Sequence, residues 1–528
     1  MAAQGYILAI DLGTSALKVA LVSTAGQVLG LETEAVHLNL LPGGGAEQDP
    51  QEWWGAVKKT AARLLAKGLV PRGQIVAVGC TSQWSGTVPV DREGQPLMNA
   101  VIWMDSRGAP DVRQITGGPV RISGYGVDKI WRWVRKTGGI PGLTGKDSIA
   151  HILFIQRRYP EIYRSTYKFL EPKDYLNFRL TGRYAASYDS IALHWVTDNR
   201  DLSRVRYDPR LLAMAGIDRQ KLPDLVPATA LLGPIKADVA VELGLSEDIQ
   251  VVAGTPDVQS AAIGSGATHD LGAHLYVGTS AWLTCHVPFK KTDLLRNMAS
   301  LPSAIPGRYF VANEQETAGA CLTFLCDNVL FHQDGMLTGN MPPNVFELFD
   351  ELAAGVPPGS DGVVFTPWLY GERTPVEDHT IRGGFHNLSL QTTRPHLIRA
   401  VLEGVAYNAR WLLEAVEIFV GRRLDPIRII GGGAQSDLWC QIFADVLDRT
   451  IEQVRDPLEA NVRGAAIVAS VGLGYMTFDE APDLVEVVRS FRPRAENRGR
   501  YDQLFKVFLE LYRRNKSIYA RLNSSSTL

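Results

Sequence analysis

The sequence predicts an α/β protein of two similar lobes about a central cleft, and three observations lead there. The tetrapeptide Gly-Thr-Ser-Ala occurs twice, at Gly13-Thr14-Ser15-Ala16 and at Gly278-Thr279-Ser280-Ala281, half a chain apart. Each copy lies in a tight turn between two apolar runs that read as strands. At 528 residues the chain exceeds what one hydrophobic core usually serves, so at least two domains are expected. The repeat places their junction near the middle, at a hinge around Gly264-Ser265-Gly266, which divides the chain into residues 1–264 and 265–528.

Tyr6 to Ile10, Leu17 to Val22 and Gln27 to Gly30 read as three strands of an antiparallel meander, not as a strand leading into a helix. Asp49-Pro50-Gln51-Glu52 has the arrangement of a capping box with proline at the first helical position. Trp53, Trp54, Val57, Ala61, Leu64 and Leu65 then follow at helical spacing. Ile75 to Cys80 is apolar without alternation, as in a strand covered on both faces, and Thr81-Ser82-Gln83-Trp84-Ser85 stands at its end, where α/β sheets meet their ligands. In the second half, Leu275 to Val277 and Trp282 to Val287 flank the Gly278 turn, and Pro395 opens a long amphipathic helix towards Phe419. Ile427 to Ile430 reads as a buried strand running into Gly431-Gly432-Gly433-Ala434, with Ser436 placed to cap the next helix.

Apolar residues make up 45% and charged residues 21%, the balance of an ordinary globular protein. A net charge of −2 with no long basic run leaves no footprint for nucleic acid or anionic membrane, so small molecules are the expected partners. Five scattered cysteines without a C-x-x-C pair argue against zinc or redox chemistry and read as reduced thiols in a cytoplasmic protein. Asp11 interrupts the apolar run that a signal peptide would need, and no apolar segment of about 18 residues is present to cross a bilayer.

A turn of Gly, Thr and Ser offers N–H groups and hydroxyls converging on one point, which suits a phosphate chain; ordinary turn chemistry is the alternative. Gly13, Thr14 and Ser15, with Gly278 and Thr279, thus suggest a nucleotide gripped between the halves. Asp11 ends the first strand beside its turn, where a carboxylate would hold magnesium directly or through water, or would stabilise the turn. Asp257 follows a strand and precedes a small-residue helix, so it reads as an N-cap with a free oxygen towards the cleft. Gly139 to Ser148 is no P-loop, because Ile140 and Asp147 occupy positions where glycine and Ser or Thr are needed. Gly431 to Ser436 lacks the third glycine of a dinucleotide turn, yet its bare backbone lets an adenine or ribose approach closely.

Asp11-Leu-Gly-Thr-Ser, Gly278-Thr279-Ser280, Asp257 before a helix, and Gly431-Gly432-Gly433-Ala434-Gln435-Ser436 followed by Trp439, Ala444 and Asp445 together resemble the FGGY carbohydrate kinases. The likeness is strongest to xylulose kinases, through Gln156-Arg157, Pro172-Lys173-Asp174-Tyr175-Leu176, Leu180-Thr181-Gly182 and Gly371-Glu372-Arg373-Thr374-Pro375. The resemblance implies the actin-like ATPase (ribonuclease H-like) duplication, with sugar and catalytic base on the first lobe and nucleotide on the second. It implies ATP and Mg2+, Asp257 as general base and Asp11 as magnesium partner. Thr14, Ser15, Gly278 and Thr279 would hold the phosphates, and Gly432, Gly433 and Ala434 would line the adenosine site. Gln83, Trp84, Ser85, Trp103, Asp105 and Asp257 would form the sugar site, with a homodimer left open.

The chain departs from the xylulose kinase pattern on the acceptor side. Gln83-Trp84-Ser85-Gly86 stands where Gln-Met-His-Gly is usual, His151 and Phe154 replace Lys and Trp, Val258 replaces a polar residue, and Asn387 replaces a glycine. The segment from Asp111 to Lys146 is longer than expected and reads as a surface insertion bordering the sugar site. Kinases of ribulose, gluconate, glycerol or a polyol are the alternatives within the family. Two other classes were weighed. An ATPase-fold sensor would have no need of Asp257 as a base, and an oxidoreductase using the Gly431 turn would leave the paired turns unexplained.

Overall fold

Two sheets, one from each half of the chain, repeat the same sequence of strand pairings. The computed structural model describes residues 5–332, 334 and 341–523. In the first sheet β1 (Tyr6–Leu12), β2 (Ala16–Ser23) and β3 (Val28–Ala35) form the expected meander. β4 (Ile75–Ser82) pairs parallel with β1, while β5 (Leu231–Pro234) and β6 (Gln250–Val252) complete the order β3-β2-β1-β4-β6-β5. β4 is central and parallel on both sides, which explains its unbroken apolar run.

The second sheet holds β7 (Ala273–Val277), β8 (Ala281–Val287), β9 (Thr292–Asp293), β10 (Met298–Pro302), β11 (Tyr309–Ala312), β12 (Ile427–Ile430), β13 (Ile451–Val454) and β14 (Val487–Phe491), in the order β9-β10-β11-β8-β7-β12-β13-β14. From β11 to β14 the pairings run antiparallel, antiparallel, parallel, parallel, antiparallel, as they do from β3 to β5. The halves differ at the outer strand, since β5 precedes its neighbour in the chain whereas β14 follows it.

Helices fix the strand ends. Asp49 caps α1 (Pro50–Ala66) by accepting the Gln51 N–H at 2.8 Å. The capping box is not completed, because the Glu52 carboxylate instead accepts the His37 N–H at 2.9 Å and ties down the loop after β3. α2 (Pro172–Thr181) lies under the first sheet, and α3 (Asp257–Gly264) follows β6. α4 (Arg394–Val420) starts at a Thr393–His396 box, and Ser436 caps α5 (Asp437–Leu447), its Oγ accepting the Trp439 N–H at 2.9 Å.

α6 (Ala460–Gly472) belongs to the second half by sequence but packs on the first sheet. Its Ala465, Ala466, Ile467 and Val468 join Ile7, Ala9, Val22 and Ala77 in one core. α3 reaches the other way: the Gln259 side chain donates to Pro302 O at 3.0 Å and accepts the Ala304 N–H at 2.7 Å. α3 and α6 cross in near contact, with a Cβ on Gly464 falling 1.8 Å from Ser260 O and one on Gly264 1.8 Å from Ala460 O.

The segment from Asp111 to Lys146 is anchored, not merely a surface insertion. Its helix Val127–Thr137 buries Trp133, whose indole N–H donates to Trp195 O at 2.9 Å. Lys290 of the second half donates to Val134 O at 2.7 Å, so the segment also spans the two halves.

Alanine normally stabilises a helix relative to glycine, but at the α3–α6 crossing there is no room for the methyl group. Gly464→Ala is expected to cost about 1–3 kcal/mol through forced displacement of the two backbones. Gly499→Ala, in an open stretch of the helix Ala495–Asn523, should instead raise the melting temperature slightly. Calorimetric unfolding of both variants checks the pair.

Candidate active site

The first sheet delivers its carboxylates at strand ends. Asp11 on β1 stands in register with Thr81 of β4, and the Thr81 hydroxyl donates to Thr255 O at 2.7 Å, joining β4 to the bend that leads into α3. Gly254 makes that bend at φ 72°, where a Cβ would lie 2.1 Å from Cys80 O. Asp257 is then the first residue of α3, with Pro256 in the N-cap position, so the expected N-cap lies one residue earlier. The Asp257 Oδ1 accepts the Val258 N–H at 2.8 Å.

Asp11 is close enough to oppose the ionisation of Asp257. Burial first, and the Asp11 charge second, push the Asp257 carboxyl up to about 8. Burial likewise raises Asp11 to about 6, opposed by the Lys18 charge and a hydrogen bond from the Asn461 side chain on α6. Asp11 Oδ1 is buried and has no hydrogen-bond partner. Such an oxygen suits a divalent cation, and Mg2+ is commonly held by one or two carboxylates with phosphates and waters completing its shell. Among the described residues no three His, Cys, Asp or Glu side chains cluster as a metal site, so an ion here would depend on the nucleotide's phosphates.

The two repeated turns are built alike. Gly13 to Ser15 links β1 to β2 and Gly278 to Ser280 links β7 to β8, with the glycine N–H closing each turn at 3.0 Å onto Ala16 O and Ser280 O respectively. Among the described residues the N–H groups of Thr14, Ser15, Thr279 and Ser280 have no acceptor, and Ser15 and Thr279 are exposed. Gly431 turns the end of β12 at φ 89°, where a Cβ would sit 2.5 Å from Val277 O. Gly433 and Ala434 are buried, Gly433 with Val277 at its Cα, while Gly432 faces open space.

On the expected sugar side, the Trp103 indole donates to Thr14 Oγ1 at 2.9 Å, Thr14 Oγ1 donates to Gln83 Oε1 at 3.2 Å, and Gln83 Nε2 donates to Gln48 Oε1 at 2.7 Å. This chain links the first Gly-Thr-Ser turn to the end of β4. Trp84 is half-buried, held by its indole N–H on Ser190 O at 3.0 Å. Ser85 and Asp105 do not present free groups. The Ser85 hydroxyl donates to Lys146 O at 2.7 Å, and the Asp105 oxygens accept the Ala46 N–H at 2.9 Å and the Arg107 guanidinium. Both are spent on internal bonds, because a buried hydroxyl or carboxylate is costly unless it is bonded.

Several participants carry no local sequence signal. Asn461 and Lys18 reach Asp11 from α6 and β2. Arg373 pairs with Glu314 and, at 2.8 Å, with Glu316, while Lys146 stands 3.9 Å from Glu316 and 5.5 Å from the Tyr370 ring centroid. The Glu314 charge reaches Asp257. Gly371-Glu372-Arg373-Thr374-Pro375 was the one legible part of that cluster.

With this geometry in view, the comparisons decide the family. Residues 6–264 match the N-terminal domain, and residues 274–473 the C-terminal domain, of the FGGY family of carbohydrate kinases. The chain belongs to that family. It is an ATP-dependent sugar kinase of the actin-like ATPase fold. It is 31% identical over 521 residues to a xylulose kinase of Staphylococcus epidermidis, covering 98% of each chain. It is 25% identical to a gluconokinase of Bacillus licheniformis, covering 98% of this chain and 97% of that one. The ligand-bound xylulose kinase structure from Lactobacillus acidophilus superposes with a TM-score of 0.85 at 23% identity, over 98% of this chain and 100% of that one, and so shares the fold. Among the described residues no helix is long and apolar enough to cross a membrane.

Behind Ser85, Glu171 accepts the Gly86 N–H at 2.9 Å and the Ser148 hydroxyl, with His194 Nδ1 at 3.6 Å. Burial pushes Glu171 up to about 8 and His194 down to about 3. A carboxyl whose pKa is raised by folding stabilises the fold below its unfolded value of about 4.3, and that contribution is lost as pH rises through the folded value. The Glu171 contribution is therefore expected to be lost between pH 5 and pH 8, while that of the buried neutral His194 runs the other way, so relative to the wild type the melting temperature of Glu171→Gln should shift upward across that interval; parallel curves would contradict the assignment.

Proposed function

We propose that the protein transfers the γ-phosphoryl group of ATP to a hydroxyl of a small open-chain sugar, a pentulose such as xylulose. The observation that carries this reading is the placement of Asp257 at a strand end beside Asp11, with open Gly-Thr-Ser turns on both sheets. Likeness to xylulose kinases along nearly the whole chain supports the acceptor. Residues 1–264 would form the sugar lobe and 265–528 the nucleotide lobe.

In the reaction, Asp257 takes the proton of the acceptor hydroxyl while that oxygen forms a bond to the γ-phosphorus. The bond from the γ-phosphorus to the β,γ-bridging oxygen breaks, and its electron pair leaves with ADP. Phosphoryl transfer has a loose transition state, so positioning and charge neutralisation carry most of the acceleration. Gly13 and Gly278 shape the two turns that receive the β- and γ-phosphates, Thr14, Ser15 and Thr279 offer them backbone N–H groups, with the Ser15 and Thr279 hydroxyls beside them, and Gly432 to Ala434 receive the adenosine. Mg2+ held at Asp11 would neutralise phosphate charge when bound. Gln83, Trp84 and Trp103 face the sugar, with Ser85 and Asp105 holding that wall in place. Closure of the two lobes on the bound substrates would keep water from competing with the sugar hydroxyl. A sugar acid is the second acceptor reading, favoured by the likeness to a gluconokinase.

ADP release from magnesium-ATP across ketoses, polyols and sugar acids tests the reading, and strong stimulation by one pentulose is expected. Asp257→Asn should lower turnover by about 100-fold or more while sparing ATP affinity, since only the proton acceptor is lost. Near-normal turnover in that variant would overturn the assignment. Trp84→Ala should reduce kcat/KM for the sugar by about tenfold and leave the KM for ATP alone. An unchanged sugar profile would mean the acceptor lies elsewhere.

A further inference from the structure

Tyr276 stands between the two glycine-rich elements of the nucleotide side and is absorbed by none of the roles above. On β7 it is in register with Trp282 of β8 on one side and Ile430 of β12 on the other. Its ring stacks on Trp282 at a centroid distance of 3.9 Å and an interplanar angle of 9°. The Trp282 indole N–H donates to His274 Nε2 at 3.2 Å, and His274 Nδ1 lies 3.0 Å from Thr284 Oγ1, so the stack is held from beneath.

The ring passes directly over two glycines. A Cβ on Gly278 would fall 2.1 Å from the Tyr276 hydroxyl oxygen, and one on Gly431 would fall 3.2 Å from the ring edge. The missing side chains therefore admit the phenol, and its hydroxyl is delivered to the Gly278-Thr279 turn. That hydroxyl has no hydrogen-bond partner among the described residues, although the ring is largely covered. The Asp257 and Asp11 charges both reach it. Packing and stacking would be served equally by phenylalanine, so the hydroxyl needs another reason.

We propose that the Tyr276 hydroxyl is a further catalytic group, donating a hydrogen bond to a γ-phosphoryl oxygen during transfer. The inference rests on the kinase reading above. Tyr276 keeps its proton throughout, and the bond changes are those already given. A neutral donor suits this position because Asp11 and Asp257 surround the reacting phosphoryl with negative charge, and each donor aimed at its peripheral oxygens offsets part of that repulsion.

Tyr276→Phe tests the proposal, since it keeps the ring and the stack. With the preferred sugar, kcat should fall by about tenfold or more while the KM values for ATP and sugar stay within about threefold. A thermal melt should be unchanged. An acceptor-free measurement accompanies it: affinity for ADP with aluminium fluoride, which mimics the phosphoryl group in transit, should weaken by about tenfold while affinity for ADP alone holds. Wild-type kcat with unchanged aluminium fluoride affinity would overturn the proposal. So would an equal loss for ADP and for the mimic, which would mean the ring serves only nucleotide binding. If no sugar is phosphorylated by the wild type, the kinase reading fails by itself, and the aluminium fluoride measurement still decides the role of Tyr276.

Discussion

The crossing of α3 and α6 is the contact on which the rest of this molecule depends. Gly264 and Gly464 bring the two helix backbones to a separation that no side chain would allow. The close approach lets the Ser260 hydroxyl donate to Asn461 O at 2.8 Å and Arg463 donate to Gly264 O at 3.1 Å. Each helix packs against the other half of the chain, so the crossing locks the two sheets at a defined offset. It also brings Asp257, the first residue of α3, and Asn461, the second of α6, within reach of Asp11. A loosened crossing would disturb the surroundings of Asp257 and Asp11 together.

Burial of like charges is the second constraint. Asp11 at the end of β1 and Asp257 at the start of α3 are both raised by burial, and the Asp11 charge raises Asp257 further. Lys18 and Asn461 offset part of that cost at Asp11. The arrangement is unfavourable for an empty protein and favourable for one that receives a cation with its nucleotide. The same logic separates carboxylates and hydroxyls by what they have free: Ser85 and Asp105 are bonded within the protein, whereas Asp11 Oδ1 is not.

The end of β4 is tied to the second half by a long detour. The segment from Asp111 to Lys146 buries Trp133, reaches Lys290 through Val134 O and ends where Lys146 O receives the Ser85 hydroxyl. Lys146 itself faces Glu316 across the cleft. Ser85 and the insertion therefore belong to one structural unit, whereas Asn387, another departure from the xylulose kinase pattern, lies in the second half, where its side chain donates to Gly362 O at 3.2 Å.

Much of the fold was legible in the sequence because its signals are local. The meander of β1 to β3, the glycine turns, the Ser436 cap and the apolar β4 depend on residues within a few positions of each other. Glu52 was misread because its partner, the His37 N–H, comes from a neighbouring loop. The insertion was misread because Trp133 finds its partners only in the folded chain. By itself the sequence determined the duplicated strand-and-turn grammar, the carboxylates at strand ends and the family those motifs resemble. Only the tertiary structure decided that Asn461 and Lys18 would meet Asp11, that Ser85 and Asp105 would face inward, and that Tyr276 would lie over Gly278. Those outcomes follow from a helix crossing and from strand register between segments far apart in the chain, where side-chain contact depends on packing and not on spacing.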